Sequence, residues 1–208
     1  MKGKNISKNQ LRRLPFYLSY LKSKFNEGVL YISSPQIAMG LELSEEQVRK
    51  DLALISRSCG KPKTGRSVET LISDLEEYLG YKNSSQAVIV GAGHLGGALI
   101  AYQGFSKYGL DIVAAFDNNA SKVGTQIGEK TIYSLDSLEE ICENLNVEIG
   151  IITVPAEAAQ SVCDRLVNLG VRAIWNFAPI KLDVKENIIV QNENMASSLA
   201  VLSSKLRK

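Results

Sequence analysis

Histidine is nearly absent from this chain: among 208 residues only His94 carries an imidazole. Cysteine is almost as scarce, with Cys59, Cys142 and Cys163 far apart and odd in number. No CxxC pair or Cys/His cluster exists, which argues against structural zinc sites and a disulfide framework. Cys142 and Cys163 fall within helical patterns, where a free thiol acts as a small hydrophobe. No apolar run approaches the ~18 residues of a membrane-spanning helix. The opening MKGKNISKNQ lacks the apolar stretch of a secretory leader. The expected compartment is a reducing cytoplasm, with no membrane partner.

What is present is an ordinary balance for a globular chain, 45% hydrophobic and 22% charged. At this length two modest domains can each bury a core. The net charge of +2 conceals an asymmetry. Residues 1–66 hold thirteen Lys and Arg against five Asp and Glu, a balance of +8, whereas residues 81–208 hold eleven against thirteen, −2. A basic block ahead of a mildly acidic body predicts a polyanion partner at the N-terminal end.

Residues 10–25 place Leu11, Leu14, Leu18, Leu21 and Phe25 at helical spacing, with a helix starting or kinking at Pro15. Ser34 before Pro35 reads as an N-cap for a second helix, to about Leu41. Ser44 with Gln47 reads as a capping box that opens a third helix through Leu52. Two short helices joined this tightly form a helix-turn-helix candidate. Residues 56–68, rich in Gly, Pro, Ser and basic side chains, read as a turn or hairpin in the position of a wing. A helix from about Val68 to Leu79 follows, and Tyr81 to Gln86 is the expected linker.

Beyond it the texture alternates between strand and helix, which predicts a doubly wound parallel sheet. Strands are expected at 87–90, 112–116, 149–154 and 172–176. Helices are expected from the glycine turn to about Lys107, from Asp136 to about Leu145, and over 156–169. The expected divisions are 1–80 for a winged helix-turn-helix domain, 81–193 for a Rossmann domain, and 194–208 for a terminal helix. That helix carries Met195, Leu199, Leu202 and Leu206 on one face, with no place in the sheet.

Two constellations carry chemistry. Gly91-x-Gly93-x-x-Gly96 follows a strand and opens a helix, with His94 and Leu95 inside the turn. In this context the first glycine permits the turn, the second admits a pyrophosphate to the backbone, and the third allows close helix–strand packing. The free N–H groups of the helix then face the phosphates. Asp117 ends the next strand 21 residues after Gly96, where a carboxylate accepts from ribose hydroxyls and repels a 2′-phosphate. NADH or NAD⁺ is therefore expected over the phosphorylated forms. About 128 residues remain after the first 80, too few for a separate substrate domain, and His94 faces phosphates rather than a substrate carbonyl. No catalytic residue is assigned, and the cofactor reads as a signal. In the N-terminal block, Ser44, Gln47, Arg49 and Lys50 open the candidate recognition helix, while Lys61, Lys63 and Arg66 lie on the wing. The alternative for Arg49 and Lys50 is ion pairing one turn back with Glu45 and Glu46.

The chain resembles the Rex redox-sensing repressors over nearly its whole length. The resemblance is carried by Leu14-Pro15-x-Tyr17-Leu18, Ile32-Ser33-Ser34 with Ile37-Ala38, and Gln47-Val48-Arg49-Lys50-Asp51-Leu52. In the second half it is carried by the glycine turn, Phe116-Asp117 with Lys122-Val123-Gly124, Thr153-Val154-Pro155 and Asn176-Phe177-Ala178-Pro179. It implies a homodimer exchanging its C-terminal helices, an inverted-repeat double-stranded operator bound when NAD⁺ predominates, and release by NADH. It further implies that Arg49 and Lys50 read the groove, that Thr153, Val154, Pro155, Asn176, Phe177 and Ala178 surround the nicotinamide with Tyr102 lining that region, and that Lys122 belongs to the cofactor site. Four departures stand out. Ser19 replaces a frequent basic residue, Asn194 replaces an acid, Gln103 replaces a proline, and the wing reads Lys63-Thr64-Gly65-Arg66 where Gly-x-Gly-Tyr is usual. The implied expectation is a weakened or rewired redox switch. Three other readings stay open: a small NAD-dependent oxidoreductase, a CoA-binding protein, and a paralogue that binds DNA without sensing.

Overall fold

Ser7 starts the first helix: its hydroxyl accepts from the Gln10 amide while the Gln10 side chain accepts from the Ser7 amide. Helix α1 (Lys8–Asn26) thus begins well before Pro15 and continues through it, burying Leu14, Tyr17, Leu18 and Leu21. The computed structural model describes residues 6–55 and 65–207, and the chain divides into two units at Asn83/Ser84. That division falls inside the expected linker, although Ser85 and Gln86 already belong to a strand.

In the first unit, α2 (Ser34–Leu41) is capped by Ser33, one residue earlier than expected, which puts Pro35 in its first turn. Glu42 takes a left-handed conformation, φ 54°, and the Leu43 amide bonds back to the Ala38 carbonyl at 2.9 Å. This closes the turn before α3 (Glu45–Ile55), whose start is capped by the Ser44 hydroxyl accepting from the Gln47 amide at 3.2 Å. Strand β1 (Tyr31–Ile32) pairs antiparallel with β2 (Arg66–Ser67), which leads directly into α4 (Val68–Tyr78). Residues 56–64, with Lys61 and Lys63 of the expected wing, lie outside the described residues. The unit closes over Leu14, Tyr17, Leu21, Val48, Leu52, Val68, Leu71 and Leu75.

The second unit is built on a seven-stranded sheet. Its strands are β3 (Ser85–Val90), β4 (Leu110–Asp117), β5 (Gln126–Ile127), β6 (Lys130–Ser134), β7 (Val147–Ile152), β8 (Ala173–Asn176) and β9 (Ile189–Asn192). They lie in the order β5-β6-β4-β3-β7-β8-β9, parallel throughout except for the β5–β6 hairpin. Setting β5 aside, this is the 3-2-1-4-5-6 order of a Rossmann sheet, with the reversal between β3 and β7. The central strands are buried on both faces, as crossover helices require. Helix α5 (His94–Ala101) is shorter than expected: at Tyr102 the backbone is extended, and Gln103–Tyr108 forms a 3₁₀ turn ending at Gly109. Helices α6 (Leu138–Cys142) and α7 (Ala156–Asn168) complete the crossovers. Cys142 and Cys163 are buried free thiols, each pushed up to about 11 by burial first and a neighbouring acid second. Helix α8 (Met195–Leu206) buries no residue.

Candidate functional site

At the carboxyl ends of β3 and β7 the glycine turn is held closed by backbone geometry. Gly91 sits at φ 102°, and a Cβ there would lie 2.7 Å from the Thr153 carbonyl oxygen. A Cβ on Gly96 would fall 1.8 Å from the Gly91 carbonyl oxygen, so this position admits glycine alone. The Thr153 hydroxyl donates to that same oxygen at 2.6 Å and to the Val90 carbonyl at 3.1 Å, fastening β7 to the turn. Gly93 differs: a Cβ there would meet nothing within 4 Å. The open space lies at the N-cap of α5, where the backbone favours an anion.

Asp117, 6% exposed, ends β4 beside this space. Its Oδ2 accepts from the Ala92 amide at 2.7 Å and from Lys122 Nζ at 3.1 Å, while Oδ1 accepts from the Asn119 amide at 2.8 Å. Burial alone would raise its pKa; the Asn119 amide, Lys122 and the Ala92 amide outweigh burial and hold the carboxyl below its ordinary value. Asp117 is therefore ionised at neutral pH. A carboxylate offers about four acceptor sites. Three are taken, which leaves one on Oδ1.

A cavity of about 430 Å³ opens at this switch point. Of the expected site residues it brings together Gly91, Gly93, Asp117, Lys122, Thr153, Val154 and Pro155. Gly96 packs behind the turn, Leu95 is half-buried beside it, and His94 is exposed at the start of α5. The residues after β8 stand elsewhere. Asn176 is fully buried: its Oδ1 accepts from the Ala178 amide, and its Nδ2 donates to the carbonyls of Ala178 and Ile180 and to Asn192 Oδ1. Its amide is thus committed to shaping its own loop. Phe177 packs on the Trp175 ring at 5.0 Å, and with Ala178 it lines a separate cavity beside Met195. Tyr102 stacks edge-on against Phe105 at 4.9 Å and lines a third cavity, so the structure does not bring it to the switch point. Asn118 and Asn119 do line the switch-point cavity and were not anticipated. Two amide side chains straight after a strand-end acid were the available signal.

In the first unit Arg49 and Lys50 are exposed and pair with Glu45 at 3.1 Å and Glu46 at 2.6 Å, the alternative weighed from spacing. Such exposed pairs contribute only ~0.3–0.5 kcal/mol, so both cations are readily given up to another anion. Ser44 caps α3, but the second half of the expected capping box is replaced: the Gln47 side chain turns to Arg13. Arg66 Nη1 donates to the Leu52 carbonyl at 3.4 Å, which draws its head toward α3.

A helix-turn-helix with a strand pair in the wing position, in one chain with a Rossmann sheet whose switch point is open, defines a ligand-responsive transcriptional regulator. Comparison with known proteins narrows this. The family described as "Putative DNA-binding protein N-terminus" matches residues 5–53, and "CoA binding domain" matches residues 82–180. The redox-sensing transcriptional repressor Rex of Treponema denticola is 44% identical over 92% of this chain and 91% of its own. That of Carboxydothermus hydrogenoformans is 42% identical over the full length of both. A crystal structure of the Rex-family repressor RSP with β-NAD⁺ and operator DNA covers 98% of this chain and 93% of that one, at 33% identity and a TM-score of 0.92. The same repressor with β-NADH matches at 32% identity and 0.86, covering 98% and 95%. The chain belongs to the Rex family of redox-sensing transcriptional repressors, which are regulators and not enzymes. No helix among the described residues is long and apolar enough to cross a membrane.

Proposed function

We propose that a cytoplasmic homodimer of this chain binds an inverted-repeat operator through α3 and the wing segment, and that NADH in the switch-point cavity lowers that affinity. The observation that carries the reading is the cavity walled by Gly91, Gly93, Asp117 and Thr153, in a chain whose other unit is a helix-turn-helix. The pyrophosphate lies over Gly93 at the N-terminus of α5, with His94 and Leu95 flanking it. One ribose hydroxyl donates to the remaining site on Asp117 Oδ1, and Lys122 secures the other side of that carboxylate. The nicotinamide lies toward Thr153, Val154 and Pro155. Asn176 acts at one remove, by fixing the Phe177–Ala178 backbone. Bound dinucleotide supplies a redox-dependent charge and shape at the ring, and no bond is made or broken.

Ser44, Gln47, Arg49 and Lys50 address the major groove, and Lys61, Lys63 and Arg66 address phosphates beside it. Two-fold symmetry of the dimer matches the inverted repeat. The dimer forms by exchange of α8, whose Met195, Leu199, Leu202 and Leu206 are all exposed. Coupling between the sites is weak, because Ser19 and Asn194 cannot form an acid–base pair. Asn194 instead caps α8, accepting from the Ser197 amide at 3.1 Å.

The test is fluorescence anisotropy on an inverted-repeat duplex at fixed salt, with NADH or NAD⁺ added separately. A modest loss of affinity with NADH alone supports the reading. A large loss keeps the sensor and removes the weak coupling; indifference to both removes the sensor. The match to a CoA-binding family favours a second reading, which direct titration with CoA and NADH separates.

A further inference from the structure

We infer that Arg165 is a positioning residue for the dinucleotide: from α7 it holds Leu135 in place as one wall of a slot that takes the adenine ring. The inference rests on the proposed binding of the dinucleotide and names how its adenosine half is gripped.

Leu135, Ala158 and Val162 line the switch-point cavity together with Asp117. The adenine is joined to the ribose that Asp117 receives, so the base enters the same cavity, where its flat faces call for apolar surface. Ala158 and Val162 supply that surface from α7, one turn apart on one face of a thirteen-residue helix. Leu135 supplies it from the segment after β6. There a one-turn 3₁₀ helix, Leu135–Ser137, runs straight into the five-residue α6. So short a helical stretch has little stiffness of its own, and 3₁₀ hydrogen bonds are the poorer kind. Leu135 needs a brace from outside its segment.

Arg165 provides one. It follows Val162 by three residues, on the same face of α7. Its Nη2 donates to the Leu135 carbonyl oxygen at 2.8 Å and to Glu139 Oε2 at 2.6 Å, while Nε donates to Glu139 Oε1 at 2.7 Å. The same carbonyl accepts from the Leu138 amide, which closes the 3₁₀ turn, so both its lone pairs are used. One guanidinium therefore ties the backbone of Leu135 and the first turn of α6 to the helix that carries Ala158 and Val162. A partly exposed Arg–Glu pair contributes little stability by itself. This one sets the spacing between two walls of a cavity.

The experiment compares NADH with its ethenoadenine analogue, whose base carries an extra fused ring. Both are titrated calorimetrically into the full-length chain as wild type, Arg165→Leu and Glu139→Gln. Thermal unfolding fixes a temperature at which every variant is folded. The wild type prefers NADH to the wider base. Arg165→Leu frees Leu135, which must be ordered again on binding, and lowers NADH affinity about two- to tenfold. The analogue loses less, because a looser slot admits it, and the preference narrows. Glu139→Gln leaves the bond from Arg165 to the Leu135 carbonyl in place and keeps the wild-type preference; if it behaves as Arg165→Leu does, the carbonyl contact is not what positions Leu135 and the inference falls. An equal loss for both ligands in Arg165→Leu overturns it too, by making Arg165 a residue of general stability. Unchanged binding in Arg165→Leu overturns it, as does a wild type that does not distinguish the two bases. A wild type that binds neither ligand overturns the dinucleotide reading itself, and this inference with it.

Discussion

Arg13 and Asp51 form the tie between the first and third helices, Nε to Oδ2 at 2.8 Å and Nη2 to Oδ1 at 3.0 Å, with the carboxylate buried. Removing one member of such a pair leaves an uncompensated charge. Arg13→Leu is expected to destabilise the N-terminal unit by about 3 kcal/mol, read as a lowered denaturation midpoint in urea. An unchanged midpoint would show that Gln10 and Tyr17 suffice to hold Asp51.

The same carboxylate sets an acid limit. Burial works against the Asp51 charge, but Arg13, Tyr17 and Gln10 overcome it and leave the pKa below the ordinary 3.8. A depressed folded value means that this contribution is present above the unfolded value and fades as pH falls through the folded one. Stability of the wild type should therefore fall as pH drops below the ordinary carboxylate value of 3.8. Asp51→Asn, less stable at neutral pH, should lose less over that range in urea titrations.

Gly93 and Gly96 make opposite predictions from one motif. Gly93→Ala should fold normally, since its Cβ enters open space, yet lose at least about tenfold in NADH affinity by obstructing the phosphates. Gly96→Ala must push the turn away from α5 and should cost about 1–3 kcal/mol in stability as well. Calorimetric titration together with thermal melts separates the two.

Asp117→Ser should lower NADH affinity by about ten- to a hundredfold, the scale of a charged hydrogen bond. It should also raise affinity for NADPH, because Lys122, now 3.1 Å from Oδ2, is released to meet a 2′-phosphate. A variant that binds both dinucleotides equally poorly would show that Lys122 does not reach the ribose.

Leu199→Glu combined with Leu202→Glu should convert a dimer to a monomer in sedimentation velocity without lowering the stability of the Rossmann unit, since neither side chain is buried within the chain.

Much of this architecture was readable because its signals are local. Serine caps, the glycine turn and unbroken apolar strands report on a few neighbouring residues. Less was legible where distant residues decide. Gln47 reads as half of a capping box, but its side-chain amide lies against Arg13, far off in sequence. Asn176 is expected at the cofactor, and within the chain its amide is engaged by Ala178, Ile180 and Asn192. The hairpin at Gln126–Ser134 and strand β9 escaped notice because short strands near the sheet edges carry no long apolar run. Tyr102 is placed by likeness alone, and within the chain the early end of α5 sets it against Phe105. The helix-to-strand rhythm, by contrast, was legible from residue 87 onward because each central strand is buried on both faces.

The proposed exchange of helix α8 would cost the chain no buried side chain, because none is buried there. Such an association would have no closed monomeric form to compete against, and dilution would leave Met195, Leu199, Val201, Leu202 and Leu206 facing water. For such a protein the amount of chain present is itself a thermodynamic variable. Operator occupancy would then answer to two concentrations, that of the reduced dinucleotide and that of the repressor's own subunits.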